Sequence, residues 1–306
     1  MKILIAYDGS AFADAAIDNL QRAGLGREVE ARVVCVAHKG WPTVNHGSQD
    51  EEFDNSWSET LKEAEEVVQR ACLRLRALFP EWKVSGEALW GNPAKMLLDT
   101  AEVMRPDLLV IGSHGRSATG RLLLGSVSTD LIHHAGCAVR VIRPSKETHS
   151  GPIRILLATD GSTHSRAVLE HVAGLSWPAG TEVRIVGVLQ TLVPKMTTSM
   201  ASEGQTFATE PAFSVIQDAD KRERVRLEGV VQAAADQLRR KGLTTSVAVI
   251  EGLPQEVVIA EAVGWHPDTI FAGSRGLGTM ERLLLGSVST ALVSHAPCAV
   301  EIVRHR

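Results

Sequence analysis

Lys2 to Tyr7 is a short, nearly unbroken apolar run, the pattern of a strand covered on both faces. Asp8-Gly9-Ser10 interrupts it, and Asp8 or Ser10 is placed to cap a helix over Ala11 to Arg22. Val-rich Glu30 to Ala37 reads as a second strand, followed by a polar loop from His38 to about Ser56. Ser58 to Leu78 then carries Leu61, Ala64, Val68, Cys72 and Leu75 along one helical stripe, and Pro80 ends it. Lys83 to Leu89 predicts strand three. Pro93 opens a helix to Met104, at a position where its missing N–H is harmless. Leu108 to Ile111, Gly125 to His134 and Ala138 to Ile142 predict strand four, a helix and strand five.

The whole order then repeats. RLLLGSVST stands at Arg121 to Thr129 and again at Arg282 to Thr290, and an identity of nine residues marks a tandem duplication. Asp8-Gly9-Ser10 returns as Asp160-Gly161-Ser162, 152 residues later, and Gly91-x-Pro93 as Gly252-x-Pro254, 161 residues later. The second copy therefore holds nine extra residues, which fit best in the polar segment Gln190 to Phe213. Its strands are expected at Ile153 to Thr159, Glu182 to Leu189, Thr245 to Ile250, Thr269 to Ala272 and Ala299 to Val303, with a long helix ending near Lys241. The expected division is a domain over 1–143, a linker over 144–151 and a second domain over 152–306, a normal size for each. Alternating strands and helices imply an α/β fold, a parallel sheet with helices on both faces, which binds ligands beyond the carboxyl ends of its strands.

Composition narrows the function classes. A formal charge of −4 lacks the basic footprint of a nucleic-acid binder, and apolar runs of about eight residues are far short of a membrane span. Cys35, Cys72, Cys137 and Cys298 form no Cys-x-x-Cys pair and read as core thiols of a reducing, cytoplasmic compartment. The scattered histidines lack metal-site spacing. No G-x4-G-K-[ST], G-x-S-x-G or H-E-x-x-H occurs, so neither a P-loop, a nucleophile elbow nor a zinc helix is available.

What remains is glycine punctuation. Gly112-x2-Gly115-x9-Gly125-Ser126 recurs as Gly273-x2-Gly276-x9-Gly286-Ser287. Gly112 is delivered at the carboxyl edge of strand four, where the absence of Cβ lets an anion approach the backbone. Gly125-Ser126 opens a helix whose free N–H groups and dipole favour phosphate. Arg116 and Arg121 are close enough in sequence to add positive charge, and Asp8 could hold ribose hydroxyls or a divalent metal bridging phosphates. The competing reading is a plain strand–turn–helix connection, with Asp8 and Asp160 as helix caps and Arg121 and Arg282 solvated.

This duplicated G-x2-G-x9-G-[ST] pattern, with an Asp after the first strand of each copy, resembles the universal stress protein family in its tandem form, over essentially the whole chain. The resemblance implies two open five-stranded parallel sheets of order 3-2-1-4-5, with Asp8 beside Gly112. It implies binding of ATP, with Mg or Mn as an accompanying metal. Carried over by position, Asp8 is the ribose- or metal-facing acid and the backbone of Val36 reads adenine. Gly112, His114, Gly115 and Arg116 line ribose and phosphates, while Gly125, Ser126, Val127 and Ser128 close around the phosphate tail. The second copy supplies Asp160, Val188, Gly273, Arg275, Gly276, Gly286, Ser287, Val288 and Ser289. Arg275 departs from His114, and the insertion departs as well. The family's terminal strands also suggest that Ala138 to Ile142 and Ala299 to Val303 pair within one chain, leaving a further homodimer open. The functional expectation is a stress-response protein using ATP as a conformational ligand with little or no turnover. The alternatives are a slow metal-dependent ATPase or phosphotransferase, and an interaction module with empty sites.

Overall fold

The computed structural model describes residues 1–38, 56–115, 124–144, 151–191, 210–276 and 285–304. Its first half runs β1 (Lys2–Ala6), α1 (Ala11–Asn19, extended by a 3-10 turn at Leu20–Arg22), β2 (Glu30–Ala37), α2 (Ser56–Leu78), β3 (Lys83–Trp90), α3 (Pro93–Met104), β4 (Leu108–Gly112), α4 (Ser126–His134) and β5 (Ala138–Ile142). The second runs β6 (Arg154–Thr159), α5 (Thr163–Gly174), β7 (Glu182–Leu189), α6 (Glu210–Arg239), β8 (Thr244–Glu251), α7 (Pro254–Trp265), β9 (Thr269–Gly273), α8 (Ser287–His295) and β10 (Ala299–Val303). The expected elements are present with ends shifted by a residue or two. Helix α6 is 30 residues long against 23 in α2, and most of the expected insertion lies outside the described residues.

The strand order is β3-β2-β1-β4-β5-β10-β9-β6-β7-β8. Each half keeps the order 3-2-1-4-5, with parallel pairing throughout. As expected of the terminal strands, β5 and β10 pair antiparallel, Val139 opposite Ile302 and Val141 opposite Val300, and this joins the two five-stranded halves into one ten-stranded sheet. The reason is physical. Both strands are buried along their whole length, and each alone would leave an apolar edge with open ladder groups.

Three cores follow from the layers. One lies between the first half's sheet and α1 and α2, around Ile3, Ile5, Ile17 and Leu75. Its counterpart in the second half gathers Ile155, Val168, Leu238 and Phe271 under α5 and α6. The opposite face carries a single core shared by both halves, from Leu97, Leu109 and Leu131 to Val258, Ile270 and Leu292. Two arginines stitch that face across the seam. Arg143, just after β5, donates to the carbonyls of Val293 and Ser294 at the end of α8, and Arg304, just after β10, donates to those of Ile132 and His133 at the end of α4. A cation at the last carbonyls complements each helix dipole. On the other face, Arg22 makes a two-pronged pair with Asp268, at 2.5 and 2.8 Å.

Among the described residues no helix is long and apolar enough to cross a membrane.

Candidate functional site

The carboxyl ends of β1 and β4 lie side by side, with Ile5 level with Val110. Chain leaves β1 through Asp8 and Gly9, whose φ of 76° is a conformation suited to glycine. Ser10, rather than Asp8, caps α1: its Oγ accepts from the Ala13 amide at 3.2 Å. Asp8 uses Oδ1 to accept from the Ser10 amide at 3.0 Å and turns Oδ2 toward the β4 loop. An added methyl on Gly115 would stand 2.9 Å from that oxygen, so only glycine lets the loop pass over the carboxylate unshifted. Asp8 thus lies against Gly115, in the loop that leaves β4 past Gly112.

Ser113 then fixes the entry to α4. Its amide donates to the Ile142 carbonyl at 2.8 Å, and its carbonyl accepts from the Gly125 amide at 2.9 Å. Helix bonding begins only with the Thr129 amide, which donates to the Gly125 carbonyl at 2.9 Å. The amides of Ser126, Val127 and Ser128 therefore precede the first helical bond, and no partner for them is found among the described residues. Glycine at the cap brings no side chain to satisfy them. The Ser128 hydroxyl donates to the Gly112 carbonyl at 2.9 Å, so its side chain pins the helix to β4 while its amide stays ahead of the first helical bond with those of Ser126 and Val127.

The second half repeats this frame. Asp160 Oδ1 accepts from the Ser162 amide at 2.9 Å, and a methyl on Gly276 would lie 2.9 Å from Asp160 Oδ2. Ser274 bonds to Val303 and Gly286 at 3.0 and 2.9 Å, and Ser289 Oγ donates to the Gly273 carbonyl at 2.6 Å. The amides of Ser287, Val288 and Ser289 stand ahead of the first helical bond, made by Thr290 to Gly286. Val36 and Val188 each lie two residues past the partners of Ala6 and Ala158, on the same carboxyl edge as the two aspartates. Arg116, Arg121 and Arg282 lie outside the described residues.

The halves differ in chemistry beside this frame. His114 is buried, its Nδ1 3.0 Å from Ser113 Oγ and its ring 5.0 Å from that of Phe12. Burial, and secondarily the Arg143 guanidinium, hold its pKa below the ordinary histidine value, so the ring is neutral at physiological pH. Nε2 is buried and has no partner among the described residues. In the second half His164 replaces Phe12 and the half-exposed Arg275 replaces His114. Arg226, on α6, also reaches over the turn there and donates to the Asp160 carbonyl at 3.1 Å, steadied by Glu223. Arg226 and Arg143 were not expected from the motif. An Arg following each terminal strand was the visible signal for the second.

Open helix-start amides, a carboxylate and glycines where a side chain would intrude can hold a polyphosphate ester. No group of three or more His, Cys, Asp or Glu side chains able to hold a metal exists among the described residues. A divalent ion here would take one protein carboxylate and complete its shell with phosphate and water oxygens.

Doubly wound α/β halves with paired terminal strands and a glycine-rich fourth-strand loop define the class of fold. The family model described as "Universal stress protein family" matches residues 1–143 and 153–304, and the chain belongs to that family. A universal stress protein of Mycolicibacterium smegmatis is 24% identical over 309 residues, covering 99% of this chain and 97% of its own. One from Thermus aquaticus is 32% identical over 151 residues, 49% of this chain and 97% of its own. The crystal structure of a universal stress protein from Archaeoglobus fulgidus superposes with a TM-score of 0.66 at 21% identity, covering 99% of this chain and 98% of that one. That likeness concerns the fold.

Proposed function

We propose that each half binds an adenine nucleotide, ATP in the first instance, with its phosphate tail on the amides of Ser126 to Ser128 or Ser287 to Ser289. On this reading residues 1–143 and 152–306 act as two nucleotide-binding domains joined by 144–151. The observation that carries it is the pair of identically framed helix starts, each with three amides ahead of its first helical bond and a glycine cap. Asp8 and Asp160 are assigned to ribose hydroxyls or to an Mg or Mn ion on the phosphates, and the backbones of Val36 and Val188 to adenine. His114 offers a neutral ring where Arg275 offers a fixed charge, so the second site should favour the more highly charged tail.

Nucleotide acts here as a conformational ligand of a stress-response protein rather than as fuel. Among the described residues the carboxylate facing each frame is Asp8 or Asp160, and its Oδ1 already accepts a backbone amide. Such an acid orients a bound group well and is poorly placed to activate water. The test is isothermal titration of the full chain with ATP, paired with chromatographic assay of ADP. Two equivalents bound with no catalytic ADP release supports the reading. ADP production abolished by Asp8→Asn would favour the enzyme instead.

A further inference from the structure

The seam between the halves sits on an approximate two-fold axis, and the residue pair on that axis is Arg140 opposite Glu301. These two are repeat-equivalent, 161 residues apart like Gly112 and Gly273. Any symmetric dimer built from one type of half would therefore set Arg140 against Arg140, or Glu301 against Glu301. Both side chains are almost wholly buried, at 0% and 1% exposure. The guanidinium donates from Nη1 to Glu301 Oε2 at 2.7 Å, from Nη2 to Thr269 Oγ1 at 2.7 Å, and from Nε and Nη2 to Asn19 Oδ1 at 3.0 and 2.8 Å. His171 Nε2 lies 2.6 Å from the other oxygen, Glu301 Oε1. Asn19 and His171 are themselves repeat-equivalent, so the flanking partners have diverged with the charges they serve.

The other described seam contacts differ between the halves, but none of them would set like charges against each other in a same-half pair. Arg143 and Arg304 cap reciprocally, and the apolar pairs beside the axis suit either half. Arg22 would find Asp107 in a second first half, where it now finds Asp268. Only at the axis do repeat-equivalent positions of opposite sign face each other, and a like pair there would bury two unneutralised charges in contact.

We infer that Arg140 and Glu301 are the specificity determinants of this interface: they restrict the partner of each terminal strand to the unlike half and exclude a second copy of the same half. The duplicated chain is by this device a closed, self-paired unit, and any homodimer uses another surface.

The test uses the full chain. Arg140→Glu and Glu301→Arg each create a like-charged seam, and each should weaken the pairing by about a hundredfold or more, seen as a lower unfolding midpoint. The reversed double variant Arg140→Glu/Glu301→Arg should recover most of that loss, because Asn19, Thr269 and His171 can each serve the opposite charge. An equal mixture of the two single variants, unfolded and refolded together, should yield a species of twice the chain mass by light scattering, each half pairing with the complementary half of the other chain. Neither variant alone should do so. A double variant no more stable than the singles, singles that melt like the wild type, or a mixture that stays at one chain mass would each overturn the inference. If the singles fail to fold alone, the double variant and the mixture still decide it.

Discussion

Replacing Gly125 with alanine should leave the fold unchanged and remove nucleotide from the first half. A methyl at Gly125 comes no nearer than 3.5 Å to any neighbour, the first being His114 Cα and the Ser113 carbonyl oxygen. The backbone there, φ −64° and ψ 152°, is open to every residue type. Alanine caps a helix less well than glycine, by under ~1 kcal/mol. A less flexible unfolded chain returns about 0.4–1 kcal/mol, so the net change should be near zero. Gly112→Ala is the contrast. Its methyl would lie 2.9, 3.0 and 3.1 Å from Cβ, C and O of Phe12, two of them backbone atoms in the first turn of α1. Overpacking of this kind costs about 1–3 kcal/mol, or several degrees at roughly 2–4 °C per kcal/mol. Binding should move the other way. Loss of even one charge-assisted hydrogen bond to phosphate is worth about 1.5–3 kcal/mol, roughly ten- to hundredfold in Kd. The assay is calorimetric melting beside ATP titration, in a chain whose second site is silenced by Gly286→Ala. A Gly125→Ala chain that melts several degrees early, or one that binds ATP as before, refutes the reasoning.

Other outcomes follow from the same contacts. Ser128→Ala and Ser289→Ala should each destabilise by about 1–3 kcal/mol, because the Gly112 or Gly273 carbonyl loses its donor; urea melts of the single variants check this. Glu301 is held below its ordinary value of 4.5, its cost of burial outweighed by His171 and Arg140. It therefore contributes stability present above pH 4.5 and lost as pH falls through the lower folded value, so Glu301→Gln should be less stable at neutral pH yet show a flatter acid limb. His114 has a folded pKa below 6.5, so the unfolded chain binds its proton first and stability falls as pH drops below 6.5. His114→Gln should remove that portion of the pH profile, measured by denaturant midpoint. Gly86→Ala should destabilise by about 1–3 kcal/mol, since its methyl would meet Cys72 Sγ on α2 at 2.7 Å.

Much of this architecture is legible in the residues. The repeated RLLLGSVST string and the two Asp-Gly-Ser turns define two copies, and apolar runs such as Leu108 to Ile111 locate buried strands. Asp8 beside Gly112 follows once β1 and β4 are neighbours, an order that the family resemblance supplied and periodicity alone does not, whereas the close approach of Gly115 to Asp8 came only with the fold. What stayed hidden depends on how elements meet. Nothing local shows that the Ser128 hydroxyl reaches back sixteen residues to Gly112 rather than outward to a ligand. Arg143 and Arg304 read as ordinary charges after a strand until the antiparallel seam sets each against the far helix end. Arg140 and Glu301 look like lapses in two apolar strands, and become intelligible only when aligning the repeats places one on the other.

Native mass spectrometry of the full chain with added ATP tests the central claim most directly. Mass steps of one and then two nucleotides should appear at saturation, and both should vanish in Gly125→Ala/Gly286→Ala while the protein stays folded. A chain that takes up no nucleotide at millimolar ATP, or a double variant that keeps both steps, would contradict the account.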